Sequence, residues 1–128
     1  MENREITIFV DSIAVKGVLN ETSTADLFWA NLPMEHTIRT WGDEIYFNTS
    51  IVADEEDSVP TVDLGDIAYW PPGQAICLFY GPTPMSLGKE IRPASPVNLV
   101  GKMDGDVTPL KSISSGALIR IEKLKSRG

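Results

Sequence analysis

Cysteine and histidine are nearly missing from this chain of 128 residues, which holds one of each, Cys77 and His36. A lone cysteine excludes any disulfide within the chain and fits a reduced cytoplasm, the expected location. Cys77 lies inside an apolar run with no histidine or arginine near it in sequence to lower its pKa, so it reads as a buried packing thiol. One histidine without a second histidine or a nearby cysteine cannot build a typical zinc site, and no metal is expected. A Ser-His-Asp relay would have to use His36, which stands in a predicted strand and beside no GxSxG elbow. His36 therefore reads as an ordinary strand residue.

Other absences narrow the function further. Neither GxGxxG nor GxxxxGK[ST] occurs, so nucleotide recognition by a glycine-rich loop has no support, and no cofactor is expected. Basic residues are few, 11 against 18 acids, for a formal charge of -7. Affinity for a phosphate backbone comes largely from Lys and Arg, so nucleic acid is not an expected partner. No apolar stretch reaches the roughly 18 residues of a membrane span, and MENREITIF at the start places charges where a signal peptide needs an apolar segment. A soluble, unexported protein without a membrane partner is the expectation. Four consecutive acids, Asp54 to Asp57, lack the alternating ligands and central glycine of a calcium loop and read as a solvated loop tip.

What is present is strand. Residues 5–10 and 13–19 are rich in β-branched side chains and flank Asp11-Ser12, a pair suited to a tight turn. Ala25, Phe28, Trp29 and Leu32 then recur at spacings of three and four, with Thr22 and Thr24 as candidate N-caps, predicting one helix over 20–32 ended by Pro33. Residues 36–41 and 44–52 flank Gly42-Asp43 as a second hairpin, and strands are predicted at 62–70, 75–81, 96–103 and 117–124. A second, short helical segment falls at 106–113. In the last strand Arg120, Glu122 and Lys125 mark the solvent face. Length and pattern together predict one domain over 1–128, a mainly β barrel or sandwich with helical plugs.

The run AICLFYG is bracketed by Pro71-Pro72-Gly73 before it and Pro82 and Pro84 after it, because a proline within a central ladder would remove a donor. The loop that follows, GPTPMSLGKEIRPASP, carries four of the nine prolines and is expected to cross the surface in extended form. Three adjacent aromatic pairs, Tyr46-Phe47, Tyr69-Trp70 and Phe79-Tyr80, sit in predicted strands, where neighbours face opposite ways. Each pair must therefore turn one ring away from the core. Such rings either pack beneath helices and the proline loop, the plainer reading for any one of them, or line a groove for a guest.

Taken in order, STADLFWANL resembles the first helix of cyclophilins, and the strand from Gln74, the loop with Thr83-Pro84 and VNLVGKMDGD resemble later cyclophilin segments. TWGDEIYF, GDIAYWPPG, LFYGPTPMS and RPASPVNLVGK are similar, over nearly the whole chain, to small bacterial and archaeal cyclophilin-like proteins of unassigned function. This resemblance implies a closed barrel of about eight strands with two short helices. A prolyl isomerase of this kind needs an arginine to weaken the X-Pro double-bond character and an aromatic pocket for the proline ring. Arg39 is the one candidate arginine. Where the pocket phenylalanine, histidine and tryptophan fall, this chain has Ile76, Val97 and the Pro84-Met85 region, and the Met and Gln pair is missing unless Met85 and Gln74 replace it.

These readings favour a non-catalytic module whose cleft, rimmed by Arg39, Trp41, Tyr46, Trp70, Phe79 and Met85, holds a small molecule or an extended, proline-containing peptide. Two alternatives stay open: an isomerase with Arg39 as its electrophilic residue and Met85 and Phe79 in the proline pocket, and a homodimer formed through the outward rings.

Overall fold

The computed structural model describes residues 4–124. Its strands are β1 (Arg4–Val10), β2 (Ile13–Leu19), β3 (Met34–Thr37), β4 (Arg39–Thr40), β5 (Glu44–Asn48), β6 (Asp66–Trp70), β7 (Ala75–Phe79), β8 (Asn98–Met103) and β9 (Leu118–Lys123), with one helix, α1 (Ser23–Ala30). All pairings are antiparallel, in the order β3-β9-β1-β2-β8-β6-β7-β5-β4.

The two strands at the ends of that order, β3 and β4, are consecutive in sequence and separated only by Ile38. One extended run thus pairs with β9 through its first half and with β5 through its second, drawing the sheet into a nearly closed barrel. Fully buried Ile38 marks the crossing, its N–H donating to the Ala117 carbonyl at 2.9 Å. Counted as one strand, this run brings the nine strands to the eight the resemblance implies. The second predicted helix is a 3-10 turn, Thr108–Ser112, which sends Leu110 into the barrel core.

Local chemistry sets the elements. At the β1–β2 turn Asp11 takes the left-handed conformation, φ 52°, that Asp tolerates. Helix α1 is shorter than the predicted 20–32: Thr22 caps its start, its Oγ1 accepting from Ala25 N at 3.1 Å, and Asn31 caps its end, its N–H donating to the Leu27 carbonyl at 3.2 Å. Phe28 and Ala25 fill the barrel beneath it. The acidic run is not merely a solvated tip: the Glu56 carboxylate accepts from Ser23 N at 3.0 Å and Thr24 N at 2.9 Å, satisfying free amides at the start of α1. Buried Asn98 secures that loop, donating to the Asp54 carbonyl at 2.9 Å and to Thr24 Oγ1 at 3.1 Å while its Oδ1 accepts from Glu56 N at 2.9 Å. Lys125, expected on the solvent face, lies outside the described residues. Among the described residues no helix is long and apolar enough to cross a membrane.

Candidate functional site

In the barrel wall made by β4, β5, β7 and β6, the strands β7 and β6 are buried on both faces, apart from half-buried Trp70, whereas β4 and the end of β5 reach solvent at Arg39 and Asn48. Inward from it point Ile45, Phe47, Ile67, Tyr69, Ile76 and Leu78, all in the main core. The register then fixes the opposite face: Tyr46 stands across from Arg39 on one side and Cys77 on the other, Cys77 across from Ala68, Glu44 across from Phe79, and Trp70 across from Ala75. A second cluster covers this outer face, with Phe79, Cys77 and Ala68 under Val62, Ile91 and Val97. Burial on both sides explains why residues 75–79 read as an unbroken apolar run instead of alternating.

Each aromatic pair splits as strand geometry requires. Phe47, Tyr69 and Tyr80 enter the main core, whereas Tyr46, Trp70 and Phe79 belong to the outer cluster. The inner Tyr69 hydroxyl is satisfied by the Ile51 carbonyl at 2.7 Å.

Over the outer face lies the proline loop, residues 82–97. Its second half is tied down at two points: Val62 N–H donates to the Ile91 carbonyl at 2.9 Å, and Val59 and Val97 exchange two backbone bonds at 2.9 and 3.1 Å. Within it, the buried Thr83 hydroxyl donates to the Arg92 carbonyl, while Ser86 Oγ accepts from Thr83 N at 3.0 Å and Arg92 N at 3.1 Å. The Gly42-Asp43 turn docks on the loop's start, Asp43 N–H donating to the Pro82 carbonyl at 2.9 Å. Gly42 has φ +61°, and a Cβ there would lie 2.8 Å from Pro84 Cδ, so glycine is required twice over.

Between wall and loop remains a cavity of about 300 Å³. The wall supplies Trp41, Glu44, Tyr46, Trp70 and Cys77, and the loop supplies Pro93, Ala94 and Val97. Trp70 is held on two sides. Its indole N–H donates to Ser95 Oγ at 2.6 Å, and its ring lies so close over Gly73 that a Cβ there would stand 2.5 Å from Trp70 Cζ3.

The polar member is Glu44, 5% exposed, with Oε1 buried and without a hydrogen-bond partner. Burial in these apolar surroundings pushes its carboxyl up to about 7, an effect the neighbouring Cys77 thiol partly offsets. Burial, and next the Glu44 charge, push the Cys77 thiol up as well, so it stays protonated and has no nucleophilic character. Glu44, Cys77, Pro93, Ala94 and Val97 line the cavity without having been expected at its rim, and of these Glu44 is the charged one. The available signal was parity: position 44 shares a face with Tyr46 two residues on, yet an acid beside a hairpin turn reads as solvated.

Of the residues expected at the rim, Trp41, Tyr46 and Trp70 come together around the cavity. Phe79 does not reach it: fully buried opposite Glu44, it forms part of the floor's outer cluster beneath Ile91 and Val62. Met85 is exposed and outside the lining, fixed in a turn where its N–H donates to Thr83 Oγ1 at 3.2 Å. Arg39 is exposed on the far side of Tyr46, in a shallow groove with Asn48, Thr40 and Ser115. The candidate arginine and the apolar cavity are therefore separated by the Tyr46 side chain. His36 stacks on Phe47 with ring centroids 5.1 Å apart. Among the described residues no group of three or more His, Cys, Asp or Glu side chains converges as a metal site.

A nearly closed antiparallel barrel with this helix placement is the cyclophilin-like architecture, and the chain belongs to the cyclophilin-like family, whose model matches residues 4–122. It is similar to the solution structure of a hypothetical protein from Archaeoglobus fulgidus, 39% identical, with a TM-score of 0.82 over 95% of each chain. No functionally curated protein matches it.

Proposed function

We propose that the chain is a non-catalytic binding module that holds a small molecule, or one side chain of an extended peptide, between the barrel wall and the proline loop. The supporting observation is the recess of about 300 Å³ left beneath a roof that is pinned on both sides, with Trp41, Tyr46 and Trp70 facing it. A cavity of this size, mostly apolar with one carboxyl and a few aromatic O–H and N–H groups, has the composition of a ligand site. Pre-ordering by the loop's hydrogen bonds lowers the entropy lost when a guest enters.

Native mass spectrometry of the protein purified from its own cells tests the reading. A retained mass that disappears when Trp41 and Tyr46 are both replaced by alanine is expected; a retained mass indifferent to those changes would contradict it. A protease-coupled assay on an X-Pro peptide separates this reading from the isomerase. No acceleration is expected, because Arg39 and the cavity lie on opposite sides of Tyr46. Acceleration abolished by Arg39→Ala would overturn the non-catalytic assignment.

A further inference from the structure

Resting on that reading, we propose that the group the cavity accepts is a cation whose nitrogen carries alkyl substituents, as on a small quaternary ammonium compound or a methylated lysine side chain. Two independent features point there. Trp41, Tyr46 and Trp70 present three aromatic side chains to one small volume, and ring faces attract cations, most strongly when both are desolvated. Glu44, 5% exposed, enters the same volume with one carboxyl oxygen, Oε1, buried and without a hydrogen-bond partner, the weakly donating Cys77 thiol being the one neighbour that favours its charge. Leaving a carboxylate unpaired in an apolar site is costly, and a guest of opposite charge removes that cost.

The lining among the described residues contains no Lys or Arg that could serve instead. A primary ammonium or guanidinium needs several hydrogen-bond acceptors around it, whereas the remaining lining groups, Pro93, Ala94, Val97 and the Cys77 thiol, offer apolar contact suited to methyl groups.

The charged and titratable surroundings of Glu44 are few. Cys77 faces it from β7 and Tyr46 lies on its own strand. Asp43 on the turn pairs with Lys111 from the 3-10 turn at 3.3 Å, Tyr80 follows β7, and Asp66, with Lys102 at 3.7 Å, stands beyond Phe79 on β6. The overhanging loop contributes no charge to the lining. Because Glu44 titrates near 7, an alkylated cation that selects its ionised form should bind about tenfold more tightly at pH 8 than at pH 6.

Calorimetric titration tests this with choline, with its neutral isostere 3,3-dimethyl-1-butanol, and with N-acetyl trimethyllysine amide. At least one of the two cations should bind tenfold or more tightly than the alcohol, with the expected rise from pH 6 to pH 8, and which one binds distinguishes a free compound from a side chain. Glu44→Gln, with its folding checked by thermal unfolding, should lose that preference and the pH dependence, while Arg39→Ala keeps both. Equal or tighter binding of the alcohol would overturn the cation assignment and leave the cavity as a site for neutral guests. Binding of none of the three would also overturn it, and the retained-mass experiment then decides the binding reading separately.

Discussion

The Trp70 indole N–H donates to Ser95 Oγ at 2.6 Å, a single bond that joins the barrel wall to the proline loop at the edge of the cavity. Replacing Ser95 by alanine leaves the half-buried N–H to water or to nothing. The expected loss is about 1 kcal/mol of unfolding free energy by denaturant titration, the ordinary net worth of such a bond. It should come with a red shift in tryptophan emission as the loop loosens over Trp70.

On the other side of the same ring, Gly73 has no space for a methyl group, since its Cβ would meet Trp70 Cζ3 at 2.5 Å. Gly73→Ala must move the indole and is expected to cost about 1–3 kcal/mol. Gly88→Ala serves as the control, because its Cβ would meet only Glu90 Oε1, at 3.4 Å. A change within about 0.5 kcal/mol is expected there.

Glu44 makes stability depend on pH. Its folded value of about 7 lies above the ordinary 4.5, so the folded chain binds the extra proton between those limits. Its contribution is fully present below pH 4.5 and is lost as pH rises through about 7, a difference of up to about 3 kcal/mol. Chemical denaturation of wild type and Glu44→Gln between pH 5 and pH 8 should show the wild type losing stability relative to the variant as pH rises. Parallel curves would remove the buried carboxyl from the account.

Asn98 joins three elements with one side chain, holding the acidic loop to the start of α1. Asn98 is 1% exposed, and its loss removes three hydrogen bonds at once, one of them to buried Thr24. Asn98→Ala is expected to lower stability by about 2–3 kcal/mol and to raise hydrogen exchange at the amides of Ser23 and Thr24.

Much of the barrel was legible because strand alternation and turn residues are local signals. Tyr46-Phe47, Tyr69-Trp70 and Phe79-Tyr80 each had to divide between two faces, and each does. What alternation could not supply was the cover on the outer face. Phe79 and Tyr46 share that face, yet Ile91 and Val62 close over the first while the second borders a cavity. Nothing near either residue in sequence distinguishes them. Glu56 was misread for the same reason: an acid in a polar run looks solvated until Ser23 and Thr24, more than thirty positions away, bring their amides to it. Glu44 was hidden by its place beside a hairpin, where acids ordinarily face water.

The most direct test is a proton–nitrogen correlation NMR titration of the uniformly labelled chain with cocktails of small aromatic and aliphatic fragments. Fragments that bind should first perturb the Trp41 and Trp70 indole signals and the backbone of Glu44, Cys77 and Ala94, leaving the groove around Arg39 and Ser115 unchanged. Perturbations that gather in that groove, or a cavity whose signals no fragment moves, would contradict a binding site between wall and loop.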